Sequence, residues 1–159
     1  MAPWSSRRPQ AAAAAQTGWG ALPARDRSDL LAAKTGKRRP EAVGEVAFSA
    51  EYFRWFAEED RRHTTIRRPA GVVASLTPWN FPCSIQARKL APALAAGCTV
   101  VARVSEKAPL AATEMIRLIH EAGLPPGVLN LVHGPAAATT AALLDHPASR
   151  HPAGGSAGW

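Results

Sequence analysis

Residues 69–83 read Pro-Ala-Gly-Val-Val-Ala-Ser-Leu-Thr-Pro-Trp-Asn-Phe-Pro-Cys, and residues 88–109 read Arg-Lys-Leu-Ala-Pro-Ala-Leu-Ala-Ala-Gly-Cys-Thr-Val-Val-Ala-Arg-Val-Ser-Glu-Lys-Ala-Pro. Val72–Leu76 is a short apolar run that stops at Thr77-Pro78, which predicts a buried strand. Ser84–Ala96 carries Ile85, Leu90 and Leu94 at helical spacing, and Gly97 suits a helix stop. Thr99–Ala102 reads as a second strand. Pro109 opens a helix that turns Met115, Leu118 and Ile119 inward and ends at Gly123. Pro125-Pro126-Gly127 is a turn signal, Val128–Val132 a third strand and Ala136–Leu144 a weaker helix. This alternation predicts an α/β fold: a partial Rossmann-like parallel sheet with flanking helices and right-handed crossovers. The chain lacks Gly-x-Gly-x-x-Gly, so that fingerprint gives no dinucleotide signal.

Toward the N-terminus, residues 41–60 have a helical period, with Val43, Val46, Ala47, Ala50, Phe53 and either Phe56 or Ala57 on one stripe. Such a face needs another element to cover it. Arg25–Lys34 reads as a short helix. Residues 1–24 are rich in Ala, Pro, Ser and Gly without period, a composition that favours weak order. The 159 residues fit one domain. Hydrophobic content is 47%, ordinary for a globular chain. No apolar run reaches the roughly 20 residues of a membrane span, and Ala11–Ala15 is too short for a signal-peptide core. Cytoplasm is the expected compartment. With only Cys83 and Cys98, a disulfide scaffold is not expected. The net charge is +7, with 13 Lys/Arg against 8 Asp/Glu in residues 1–70, then 6 against 4 in residues 71–159. The basic pairs Arg7-Arg8, Arg61-Arg62 and Arg67-Arg68 and the triplet Lys37-Arg38-Arg39 are scattered and carry no stacking aromatics. They read as a solvated surface rather than a nucleic-acid or membrane-binding face.

The Pro-Trp-Asn-Phe-Pro element at 78–82, with Arg-Lys-Leu-Ala-Pro-Ala-Leu-Ala-Ala-Gly and Val-Val-Ala-Arg-Val-Ser-Glu after it, closely resembles the cofactor-binding domain of the NAD(P)-dependent aldehyde dehydrogenases. The resemblance covers most of 35–147 and is nearest the succinate-semialdehyde type. It implies oxidation of an aldehyde to its acid by a cysteine thiolate, with hydride transfer to NAD(P)⁺. It makes Asn80 the side-chain donor to the developing oxyanion; read alone, Asn80 closes a strand-to-helix turn. It places Thr77, Pro78, Trp79, Arg103 and Glu106 at the cofactor, the last two at the adenosine ribose. Glutamate can accept from ribose hydroxyls. The family usually has lysine where this chain has Arg103, a planar and non-equivalent cation. Glu106 would repel a 2′-phosphate, which leans the expectation to NAD over NADP. Read alone, Arg103 and Glu106 are solvated charges at a strand end. Arg88 matches the arginine that holds a substrate carboxylate in the succinate-semialdehyde type, where two parallel hydrogen bonds suit the carboxylate; read alone, it is a surface charge. No metal is expected.

The resemblance also implies losses. The family's nucleophilic cysteine and general-base glutamate lie in later segments that do not follow here. Cys98 matches a structural position, and neither cysteine matches the nucleophile. A Phe-Thr-Gly-Ser strand is expected where the tail reads His151-Pro152-Ala153-Gly154-Gly155-Ser156-Ala157-Gly158-Trp159. A second glycine after Gly134 is also missing. Trp19 through Arg27 resembles the start of the family's first long helix, Gly36 through Val46 resembles a later segment, and the helix between them is largely gone. The hairpin normally found between Arg62 and Arg67, which contributes to subunit association, is shortened. The expected organisation is a weakly ordered segment over 1–34, a helical segment over 35–68, a partial NAD(P)-binding domain over 69–147 and an irregular tail over 148–159. The expected role is that of a truncated aldehyde dehydrogenase relative, inactive as this chain. The alternatives are a non-enzymatic nucleotide-binding or interaction module, self-associating or docking on an intact homologue, and a decayed or mis-framed gene product.

Overall fold

The computed structural model describes residues 24–59 and 69–154, with positions 14, 15, 17 and 19. The chain enters through two helices, α1 (Ala24–Thr35) and α2 (Arg39–Glu59). It then alternates β1 (Val72–Leu76), α3 (Pro82–Ala95), β2 (Thr99–Arg103), α4 (Pro109–Glu121), β3 (Leu129–Val132), α5 (Ala136–Asp145) and β4 (Ser149–Gly154). The four strands form one sheet in the order β3-β2-β1-β4, and every pairing is parallel. The expected β-α-β-α-β-α order is present, each element within a few residues of its reading.

The sheet grows in one direction from β1 to β3 and then returns to the other side of β1. Right-handed crossovers therefore put α3 and α4 on one face and α5 on the other. The alternation of side chains along the strands records the two faces. Val73, Val100, Ala102 and Leu129 join the core beneath α3 and α4. Val72, Leu76 and Val101 face the other way and are only half-buried. α5 has no fully buried residue, so the second face is thinly covered.

The main core lies under α3. Leu90 and Leu94 from α3, Met115 and Ile119 from α4, Val46 and Phe53 from α2 and Leu31 from α1 are all at most 1% exposed. α3 tolerates Pro92 in its interior because this packed face outweighs the donor the proline lacks. Gly97 follows the C-cap Ala96 and turns the chain out of the helix with a φ of 81°, costly for any residue with a Cβ.

Four expectations need correction. The boundary drawn at 34/35 falls inside α1, whose Leu31 is fully buried. The tail drawn as irregular forms β4 over Ser149–Gly154, paired with β1 from Val72↔Ser149 to Leu76↔Gly154. Among the described strands it lies at the edge and is held to β1 by backbone bonds, a position that needs no apolar run and tolerates Pro152. The stripe of α2 is rotated: Ala42, Glu45, Val46, Ser49 and Phe53 are buried, whereas Val43 and Ala47 are exposed. An apolar count passes over Glu45 and Ser49 because they are polar, yet both have partners inside, the Ser49 hydroxyl donating to the Glu45 carbonyl at 2.7 Å. Finally, Arg103 is not a solvated strand-end charge but a buried one, 6% exposed. The segment between Arg62 and Arg67, where the family's hairpin is expected to be shortened, and most of the segment around Trp19 lie outside the described residues. Among the described residues, no helix is long and apolar enough to cross a membrane.

Candidate functional site

The strand order reverses between β1 and β4, and in open parallel sheets ligands bind outside the carboxyl ends of the strands at such a point. Three loops meet at this edge: Thr77–Phe81 after β1, Val104–Ala108 after β2 and His133–Pro135 after β3.

Arg103 ties them together. Its carbonyl accepts from the Thr77 amide at 3.3 Å and from the Thr77 hydroxyl at 3.4 Å. Its Nη2 donates to the Glu106 carboxylate and, at 3.4 Å, to the Gly134 carbonyl. The arginine side chain is 8% exposed and the glutamate 52%. Glu106 therefore offers acceptor oxygens to solvent while a buried cation holds it. Its own backbone N–H and then the Arg103 guanidinium lower the Glu106 carboxyl below its usual pKa. The Nε of Arg103 is buried with no hydrogen-bond partner among the described residues. Gly134 has φ +157°, and a Cβ there would lie 2.5 Å from Thr139 Cγ2.

Asn80 sits on the exposed turn between β1 and α3, flanked by Trp79 and Phe81, each 47% exposed. Pro82 opens α3, which has no side-chain cap of its own at Phe81. Glu45 supplies one from α2. Its Oε1 accepts from the amides of Cys83 and Ser84 at 2.9 and 3.1 Å, and its Oε2 pairs with Lys37. The Lys37 ammonium lies 3.5 Å from the centre of the Phe81 ring, a cation–π arrangement.

Arg88 is on the outer side of α3. It lines a groove of about 550 Å³ between α2 and α3, shared with Glu41, Phe48, Phe81 and Ser84. Its guanidinium is 5.9 Å from the Tyr52 ring, and no carboxylate among the described residues pairs with it. The structure thus brings Thr77, Arg103 and Glu106 together and puts Arg88 elsewhere. The Thr77–Phe81 turn joins the two sets, Thr77 bonding the Arg103 carbonyl and Phe81 lining the Arg88 groove. Pro78, Trp79 and Asn80 lie between these points.

Both cysteines are buried. Burial first, and the nearby Glu45 carboxylate second, push the Cys83 thiol well above its usual range, so it is a poor source of thiolate.

Sequence reasoning missed three parts of this region. Glu45 and Lys37 brace the start of α3. Lys89 donates to the Leu76 carbonyl at the end of β1 at 2.8 Å, and burial lowers its pKa. Gln86 donates to the buried Ser75 hydroxyl at 3.2 Å. A polar residue at helical spacing among apolar ones was the only available signal for Glu45 and Gln86.

Residues 28–152 match the model of the aldehyde dehydrogenase family. A probable succinate-semialdehyde dehydrogenase [NADP(+)] of Sinorhizobium fredii is 44% identical over 152 residues, covering 76% of this chain and 31% of that protein. A glutarate-semialdehyde dehydrogenase of Pseudomonas putida is 42% identical, covering 70% of this chain and 26% of that protein. The crystal structure of an aldehyde dehydrogenase from Brucella melitensis biovar abortus 2308 superposes with a TM-score of 0.85 at 35% identity, over 92% of this chain and 34% of that one. The chain thus spans about a third of the length of the relatives it matches. With the fold, the Pro-Trp-Asn-Phe-Pro turn and these likenesses in agreement, the chain belongs to the aldehyde dehydrogenase family.

Proposed function

We propose that this chain forms the cofactor side of a semialdehyde-dehydrogenase-type site and binds the adenosine half of NAD(P) at the carboxyl ends of β1 and β2. The observation that carries the reading is the half-exposed Glu106 carboxylate held by buried Arg103. Its acceptor oxygens suit a ribose diol, so the residues present fit the group. Arg103 acts from behind Glu106 rather than as an outward-facing contact. Thr77, Pro78 and Trp79 form the neighbouring wall. A bound dinucleotide would take up the hydride lost when an aldehyde is oxidised. Asn80 donates to the oxyanion, and Arg88, free of an ion pair in its groove, binds the distal carboxylate of a semialdehyde. Because Arg103 is already engaged and Glu106 is anionic, NAD is favoured over NADP, although the Sinorhizobium relative is named for NADP(+).

The 159-residue chain alone does not oxidise aldehydes. A second reading, a nucleotide-binding module without catalysis of its own, is favoured by the burial of both cysteines. The test is calorimetric titration of AMP, NAD, NADP and nicotinamide mononucleotide into the chain and its Glu106→Ala and Asn80→Ala variants. AMP and NAD should weaken roughly 10- to 150-fold in Glu106→Ala, the effect of losing one hydrogen bond to a charged group. Asn80→Ala should leave AMP unchanged. Nicotinamide mononucleotide binding as tightly as AMP, or AMP indifferent to Glu106→Ala, would refute the assignment. NADH formation with succinate semialdehyde should be absent, and turnover that survives Cys83→Ser and Cys98→Ser would overturn the inactivity of the isolated chain.

A further inference from the structure

α3 starts on a sequence that cannot cap itself. Phe81 holds the N-cap position and has no side-chain acceptor, and Pro82 follows it. The first free amides of a helix need acceptors. Here the acceptor is a carboxylate from another helix: Glu45 Oε1 takes both Cys83 N–H and Ser84 N–H across 38 and 39 residues of sequence. The Glu45 side chain is only 1% exposed, and its Lys37 partner is 15% exposed. A carboxylate at a helix N-terminus is favoured by the aligned peptide dipoles. A buried carboxylate stripped of its partners is strongly disfavoured, which keeps this contact in one geometry. Lys37 also covers the Phe81 ring. Lys37, Glu45, the first turn of α3 and Phe81 therefore close a ring, and Asn80 is the residue immediately outside it.

We propose that Glu45, with Lys37, is a positioning residue for Asn80: it fixes where α3 begins and so where the Asn80 amide stands. The inference rests on the reading of Asn80 as the oxyanion donor. Its geometric part is testable without ligand.

The experiment is NMR on the isotopically labelled 159-residue chain, with the Asn80 side-chain amide assigned through Asn80→Asp and the Trp79 indole through Trp79→Phe. In Glu45→Ala, amide exchange at Cys83 and Ser84 should accelerate by about tenfold or more. The Asn80 amide and Trp79 indole resonances should move, while the Met115 methyl, deep in the core, stays in place. Glu45→Gln should restore the Asn80 and Trp79 positions in part, because an amide oxygen can still accept both N–H groups while the amide NH2 no longer pairs with Lys37. Lys37→Met should give an intermediate displacement. Asn80 and Trp79 unmoved in Glu45→Ala, with exchange faster only at Cys83 and Ser84, would reduce Glu45 to a local cap and overturn the proposal. So would a displacement in Glu45→Gln as large as that in Glu45→Ala. If Glu45→Ala does not fold, Lys37→Met decides: displaced Asn80 and Trp79 signals support the proposal, and unchanged ones overturn it. The spectra judge the positioning alone, whereas the AMP and mononucleotide titrations judge the site, so either can fail without the other.

Discussion

The Arg103 guanidinium and the Glu106 carboxylate meet across one turn beyond β2, the arginine buried and the glutamate half in solvent. The pair is asymmetric in consequence. Removing the glutamate strands a cation whose Nε already lacks a partner among the described residues. Removing the arginine frees a carboxylate that water can reach.

Glu106→Ala should therefore lower the melting temperature more than Arg103→Met does, since an unpaired buried cation costs more than a solvated anion. Glu106→Gln should fall between wild type and Glu106→Ala. Thermal denaturation followed by circular dichroism tests the ranking; a larger loss in Arg103→Met would contradict the asymmetry.

Acid should destabilise the fold. Hydrogen bonding from Arg38 lowers the Glu41 carboxyl, its own backbone N–H and then Arg103 lower Glu106, and hydrogen bonding from Arg117 lowers Glu114. A depressed folded pKa gives stability that is fully present above the unfolded value of about 4.3 and is lost as the pH falls through the folded value. The melting temperature should hold from pH 7 to pH 5 and drop below about pH 4.3. Changing all three glutamates to glutamine should flatten that drop. A wild-type melting temperature constant down to pH 3 would rule out the linkage.

Neither cysteine should react in the folded chain. Iodoacetamide at pH 8 should leave Cys83 and Cys98 unmodified by intact-mass measurement, and both should alkylate in guanidinium. Burial and the Glu45 carboxylate keep the Cys83 thiol protonated. Native-state labelling at Cys83 would show that the start of α3 opens more readily than its cap implies.

The two sides of α2 should respond unequally. Phe53 is 1% exposed and Trp55 is 60% exposed. Phe53→Ala should cost about 3–5 kcal/mol, and Trp55→Ala should change stability by no more than about 0.5 kcal/mol. Phe48, 56% exposed, shares with Tyr52, Trp55 and Phe56 an aromatic hollow of about 340 Å³. Phe48→Ser with Trp55→Ser should thus reduce binding of an anilinonaphthalene dye and any concentration-dependent association seen by size-exclusion chromatography. Dye binding unaffected by the double variant would place the exposed apolar surface elsewhere, on the thinly covered sheet face under α5.

Much of the α/β order was legible because apolar runs such as Val72–Leu76 are bounded by Gly and Pro, which act locally. β4 was not, because Ser149–Gly154 pairs through its backbone and an edge strand needs no apolar run. The orientation of α2 was hidden by Glu45 and Ser49, polar residues whose partners are remote or intrahelical. Arg103 and Glu106 could each be named, but not their pairing. The three-residue spacing permits it, but the burial of Arg103 and its bond to the Gly134 carbonyl depend on a loop remote in sequence, whose closeness the sequence alone does not reveal.

Gly134 gives that arrangement a further property. Its carbonyl is held by Arg103, and the space where a Cβ would stand belongs to the Thr139 methyl. A single methyl added at Gly134 would push on the first turn of α5, pull its carbonyl from the guanidinium and loosen the grip on Glu106. The carboxylate facing solvent on one loop thus depends on the absence of a side chain on another, and an alanine at 134 would be felt at 106 with no change to either member of the ion pair.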